Sequence, residues 1–190
     1  MSVNLPNTIT IMRLLMVPLV VWLIITSAYS LAFVIFAVAG FSDAIDGYLA
    51  RKLGSQTEIG AYLDPIADKA LLVSIYVALA ANDLLPVWLA ILVATRDALI
   101  VGGVILARLV EQPLVMKPLW ISKLNTSVQI LLAGLTLGLL AFQWHADTAI
   151  DICIAAVVVL TLASGAFYLR DWVRHISSAE SPANDKDTMP

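Results

Sequence analysis

Cysteine occurs once, at Cys153, so no disulfide can close within the chain, and its apolar surroundings read as packing rather than chemistry. Only two histidines are present, His145 and His175, and neither belongs to a cysteine or histidine cluster, which argues against a zinc centre. Charge is scarce as well: Asp, Glu, Lys and Arg make up 13% of the 190 residues, against 61% apolar ones. That composition excludes a disordered chain and disfavours a soluble domain. No basic patch interleaved with aromatics occurs, so nucleic acid is not an expected partner, and a net charge of −3 says little else. No internal repeat supports an inverted-repeat transporter. The first apolar run has no basic stretch ahead of it and contains Arg13, and so reads as a retained helix rather than a signal peptide.

What is abundant is apolar sequence in runs of membrane-spanning length. Six spans are expected, at about 8–28, 30–52, 59–82, 84–109, 118–142 and 147–171, separated by short polar breaks. The turns near 27–30, 82–86 and 143–148 carry no Lys or Arg. Arg51, Lys52, Arg108, Lys117, Lys123, Arg170 and Arg174 flank the other connections and the end of the last span. The positive-inside rule then places both termini in the cytoplasm. The fold expected is an all-α integral membrane protein of six transmembrane helices. Residues 1–175 form one catalytic domain, and 176–190 a disordered polar tail. The short chain points to the inner membrane of a bacterium, with the active site facing the cytoplasm.

Against this background four aspartates stand out. Asp43 and Asp46 lie near the cytoplasmic end of the second span, and Asp64 and Asp68 near the cytoplasmic start of the third. One Asp at the centre of a membrane helix costs roughly 2.5–3.5 kcal/mol, so four would rival the ~5–15 kcal/mol stability of a whole domain. The spacings i,i+3 and i,i+4 place each pair on one helix face, where like charges repel. A turn at Gly54 folds the two spans into a hairpin whose acidic faces can meet. Oxygen-only donors suit Mg²⁺ or Mn²⁺, and four carboxylates suffice for two ions about 4 Å apart.

Other residues sort around this centre. Gly47 and Gly60 would let a ligand approach the backbone, or would let the helices pack closely. Arg51 can fork onto a phosphate or anchor the membrane interface. Lys69 reads as an ion-pair partner for the adjacent Asp68 or as a snorkelling side chain. Arg96 and Asp97, mid-span in the fourth helix, read as a structural salt bridge or as functional groups, and the cost of burial there makes function the default. Lys123 is either an interface anchor or a phosphate ligand. Intramembrane acids also mark ion pathways, so a cation channel or transporter is the remote alternative. The clustering of the acids toward one membrane face disfavours it.

Asp43, Asp46, Gly47, Ala50, Arg51, Gly60, Asp64 and Asp68 fill every position of the pattern D-x-x-D-G-x-x-A-R, eight residues, G-x-x-x-D-x-x-x-D. The chain thereby resembles the CDP-alcohol phosphatidyltransferase family, and its six-span plan is similar too. The resemblance implies an enzyme that displaces CMP from CDP-diacylglycerol by an alcohol, commonly as a homodimer. It implies two divalent ions on Asp43, Asp46, Asp64 and Asp68, with Asp68 also the general base. It further implies a CDP pocket lined by Gly47, Arg51 and Gly60. Two later stretches, Asn82 to Asp97 and Lys117 to Gln129, look like the branch of the family that makes cardiolipin, with phosphatidylglycerol as acceptor. The nearest alternative acceptor is glycerol-3-phosphate. Arg13, Arg96 and Lys123 are the residues expected to bind the acceptor's phosphate.

Overall fold

A computed structural model describes residues 5–53, 58–109 and 120–179, with side chains described over 12–42, 67–102 and 120–167 and at Arg170. Six α-helices and no strands occur among them: α1 Leu5–Ile25, α2 Tyr29–Leu53, α3 Glu58–Ala81, α4 Val87–Leu109, α5 Trp120–Phe142 and α6 Asp147–Ala179. The helices stand where apolar runs predict them. The last differs in length: α6 continues past residue 171, through the start of the stretch expected as tail, to Ala179. Residues 180–190 lie outside the described residues. Two stretches, Trp120–Phe142 and Asp147–Phe167, are long and apolar enough to cross a membrane. Met12–Ile25 and Tyr29–Ser42 are shorter apolar helices.

Three tight turns pair the helices into hairpins, α1 with α2, α3 with α4 and α5 with α6, and all three close in the same way. Ser27, Asp83 and Gln143 adopt left-handed backbone angles, with φ of 58°, 57° and 55°. Ser27 N–H donates to Ile24 O and Ala28 N–H to Leu23 O. Asp83 and Leu84 repeat the pattern on Ala80 and Leu79, and Gln143 and Trp144 repeat it on Leu140 and Leu139. These crossed bonds cap the last carbonyls of each helix, a task usually given to glycine because it alone enters that region without strain. The Ser30 hydroxyl, which donates to Ala141 O, ties the first turn to the third.

The hairpins assemble into a closed ring in which neighbours run α1, α3, α4, α6, α5, α2 and back to α1, with α3 and α5 meeting across the middle. The ring therefore divides into two four-helix halves that share α3 and α5. Among the described residues α1 and α5 each lie against both α2 and α3; the turn expected at Gly54 lies outside the described residues. Where α2 meets α5, Gly134 and Gly138 leave room for rings. A Cβ on Gly134 would sit 3.2 Å from Phe36 Cε1, and one on Gly138 3.2 Å from Phe33 Cε2.

Among the described residues the apolar core centres on α3. Ile75, Tyr76 and Leu79 are fully buried there against Val20 and Ile24 of α1, Leu89 and Val93 of α4, and Leu132 and Leu137 of α5. The outside is apolar as well: Trp22, Leu31, Phe41, Leu99, Leu131, Ile152, Val159 and Leu162 are exposed. The inside carries polar groups, with Arg13, Arg96, Asp97, Asn125, Gln129, Thr136, Thr161 and Ser164 all buried. Apolar surface outside and charge inside suits a molecule whose surroundings are hydrocarbon rather than water.

Candidate active site

α3 carries Asp68 and Lys69 in succession. Consecutive residues on a helix point about 100° apart, so the two look into different halves of the ring. Asp68 faces α1, where Arg13 Nη1 donates to Asp68 Oδ1. Arg13 is buried, whereas the Asp68 side chain is 45% exposed. A buried guanidinium needs a counter-charge, and Asp68 supplies it while keeping nearly half of its surface open.

Lys69 does not pair with Asp68, its neighbour in the chain. Its Nζ lies 2.7 Å from Asp97 Oδ1, on α4. Arg96 Nη1 reaches the same oxygen, also at 2.7 Å. The rest of the Arg96 fork is engaged with serines. Nε and Nη2 donate to Ser164 Oγ on α6 at 2.9 and 2.7 Å, and Nη2 donates to Ser122 Oγ on α5 at 2.7 Å. One guanidinium thus ties three helices together, and Lys69 brings in the fourth. Ser122 and Ser164 are the residues that sequence reasoning missed, because single serines in apolar helices carry no pattern.

Deeper in the same half, the inner face of α5 stays polar. Thr161 donates to Asn125 Oδ1 at 3.1 Å, and the Tyr76 hydroxyl donates to the backbone oxygen of Gln129 at 3.1 Å. Asn125 Nδ2 and both amide atoms of Gln129 are buried with no protein partner. Lys123, expected at the acceptor's phosphate, is exposed and stands over the Trp120 ring, 5.9 Å from its centroid. It is not joined to the Arg96 cluster.

Asp43, Asp46, Gly47 and Arg51 fall on α2, and Gly60 and Asp64 on α3. Their side chains lie outside the described residues, so Asp68 is the one expected metal ligand whose surroundings are described. Among the described residues no group of three or more His, Cys, Asp or Glu side chains could hold a metal ion. The donor set itself, carboxylate oxygens alone, fits Mg²⁺ or Mn²⁺ by its chemistry.

Residues 3–164 match the model of the CDP-alcohol phosphatidyltransferase family. The chain belongs to this family. Among its relatives, the rice protein "CDP-diacylglycerol--glycerol-3-phosphate 3-phosphatidyltransferase 1, chloroplastic" is 38% identical over 70% of this chain and 46% of its own length. A Mycobacterium tuberculosis protein named "Probable phosphatidylglycerophosphate synthase" is 35% identical over 95% of this chain and 87% of its own. Human "Cardiolipin synthase (CMP-forming)" is 31% identical over 87% of this chain and 60% of its own. The chain therefore spans less than two thirds of the rice and human proteins and most of the mycobacterial one. Family members bearing both kinds of name are thus similar to it.

Proposed function

We propose that this family member moves the phosphatidyl group of CDP-diacylglycerol to phosphatidylglycerol, making cardiolipin and releasing CMP. All six helices cross the bilayer in this reading, with both termini and the catalytic end on the cytoplasmic side of a bacterial inner membrane, and two copies form a homodimer. The observation that carries it is the aspartate array, complete at every signature position, with Asp68 paired to buried Arg13 while its side chain is 45% exposed.

The chemistry follows from that array. Two divalent ions on Asp43, Asp46, Asp64 and Asp68 would offset the pyrophosphate charge and stabilise CMP as it departs. Asp68 takes the proton of the acceptor hydroxyl as the hydroxyl oxygen bonds to the phosphatidyl phosphorus and the bond from that phosphorus to the CMP oxygen breaks. Arg13 holds the carboxylate in place for that transfer, and with Arg96 and Lys123 it stays among the residues proposed to bind the acceptor's phosphate. Gly47, Arg51 and Gly60 line the CDP pocket.

A second reading keeps donor, metals and base but uses glycerol-3-phosphate as acceptor. The names of the rice and mycobacterial relatives favour it. Purified protein in detergent with CDP-diacylglycerol and Mg²⁺ or Mn²⁺, offered each acceptor separately, separates the two by CMP release. Release with phosphatidylglycerol alone upholds cardiolipin synthesis. Release with glycerol-3-phosphate alone replaces the acceptor, and release with neither overturns both readings.

A further inference from the structure

A polar seam runs inward between α5 and α6 from the Arg96 cluster. Ser122, Asn125 and Gln129 follow one another on α5 at i, i+3 and i+7, and so share one face of the helix. Ser164 and Thr161 stand three residues apart on α6 and lie toward that face. Arg96 Nη2 donates to both Ser122 Oγ and Ser164 Oγ at 2.7 Å, and Thr161 Oγ1 donates to Asn125 Oδ1 at 3.1 Å. Asn125, Gln129 and Ser164 are fully buried. Beyond Gln129 the two helices turn apolar, with Leu132, Ala133 and Val157 fully buried as well.

The seam is satisfied at its outer end and not at its inner one. Ser122, Ser164 and Thr161 all have partners. Other hydroxyls on α5 are spent within the helix: Thr126 donates back to Ser122 O and Thr136 to Leu132 O. Among the described residues Asn125 Nδ2 and Gln129 Oε1 and Nε2 are left with no hydrogen-bond partner, although both side chains are fully buried. Unpaired polar groups away from water are costly, so buried ones are nearly always bonded to protein or to ordered water. Protein alone falls short here. Asn125 Oδ1 is already committed to Thr161. A direct bond from Asn125 Nδ2 to Gln129 Oε1 would pair those two atoms and still leave Gln129 Nε2 orphaned.

We propose that Asn125 and Gln129 form an internal water site, in which ordered water accepts from the two amide nitrogens and donates to Gln129 Oε1. Water suits these groups because it donates and accepts at once, as a mixed set of amide N–H and carbonyl requires. An ion does not suit them, since neutral amides and hydroxyls offer no counter-charge to offset its desolvation. The seam supplies the route: Ser122 and Ser164 lead from the Arg96 cluster to Asn125, whereas the outer faces of α5 and α6 expose apolar side chains such as Leu131, Val159 and Leu162. Bound there, water joins α5 to its neighbours at a level where the side chains do not reach one another. The inference holds whichever acceptor the enzyme uses.

The direct test is an experimental structure of the unaltered protein at a resolution that shows ordered water. A density peak about 2.7–3.2 Å from Asn125 Nδ2 and from an amide atom of Gln129 is the expected result. A second test works in solution: X-ray radiolysis in ¹⁸O-labelled water, where hydroxyl radicals form from bound water and mark the side chains beside it, read by mass spectrometry. Tyr76 is the reporter, because it is fully buried and its hydroxyl donates to Gln129 O at 3.1 Å. It takes up ¹⁸O despite its burial, and Gln129→Leu lowers that uptake several-fold while Tyr29, at the start of α2, keeps its own. A structure in which the Gln129 amide bonds only protein groups or faces dry space overturns the proposal. So does a Tyr76 that stays unlabelled in the unaltered protein, or one whose label is unchanged in Gln129→Leu. None of these readouts depends on CMP release, so the functional reading above can fail without them.

Discussion

Two buried arginines, one in each half of the ring, solve the same problem in opposite ways. Arg13 is paired with a carboxylate that remains 45% exposed. Arg96 is paired with a carboxylate that is 5% exposed, and two serines from further helices cover the rest of its fork. The first arrangement leaves the carboxylate half-exposed. The second closes around its own donors and joins four helices. A buried charge in an apolar helix is thus not by itself a sign of catalysis, since it can also serve to join helices.

The comparison breaks most visibly at Asp68. Asp68→Asn is expected to lower the rate of CMP release by about 10²–10⁴-fold, and to lower the thermal midpoint in detergent as well because buried Arg13 loses a counter-charge. A variant that keeps its rate would remove Asp68 from the chemistry.

The scaffold half responds in stability instead. Asp97→Leu leaves Lys69 and Arg96 facing each other uncompensated and is expected to cost about 3–5 kcal/mol. Arg96→Met leaves a neutral Lys69–Asp97 pair and two orphaned serine hydroxyls, for about 1–3 kcal/mol. The order of the two unfolding midpoints is the check: equal losses would mean that Asp97 is not what holds the two cations together.

Packing gives smaller effects. In Gly138→Leu the added side chain must displace Phe33, whose ring stands 3.2 Å from the Cβ position, and the expected loss is about 1–3 kcal/mol with little change in KM. Wild-type stability there would place the α2–α5 contact elsewhere. The smallest change is a gain. Gln143→Gly relieves a left-handed residue at an exposed helix end and is expected to add about 0.5–1 kcal/mol, seen as a higher thermal midpoint.

Some of this was legible in the residues alone. Apolar runs broken by Ser27, Asn82 to Pro86 and His145 marked all six helices, because helix formation in a chain this apolar is a local matter of run length and turn chemistry. The aspartate spacing marked the candidate site for the same reason. Partners were another matter. Lys69 adjoins Asp68 in sequence and pairs with Asp97; Asp68 pairs with Arg13 from the start of the chain.

Sequence by itself determined the six helices, their hairpin turns and the register of the acids along α2 and α3, since each depends on neighbours within a few residues. Only the tertiary structure decided the order of helices around the ring, the division of its charges into an open pair and a closed cluster, and the burial of Ser122 and Ser164 against Arg96. The reason is physical. Helices that are apolar on nearly every face do not encode which face turns inward, so the few polar side chains settle that choice by finding one another across the bundle.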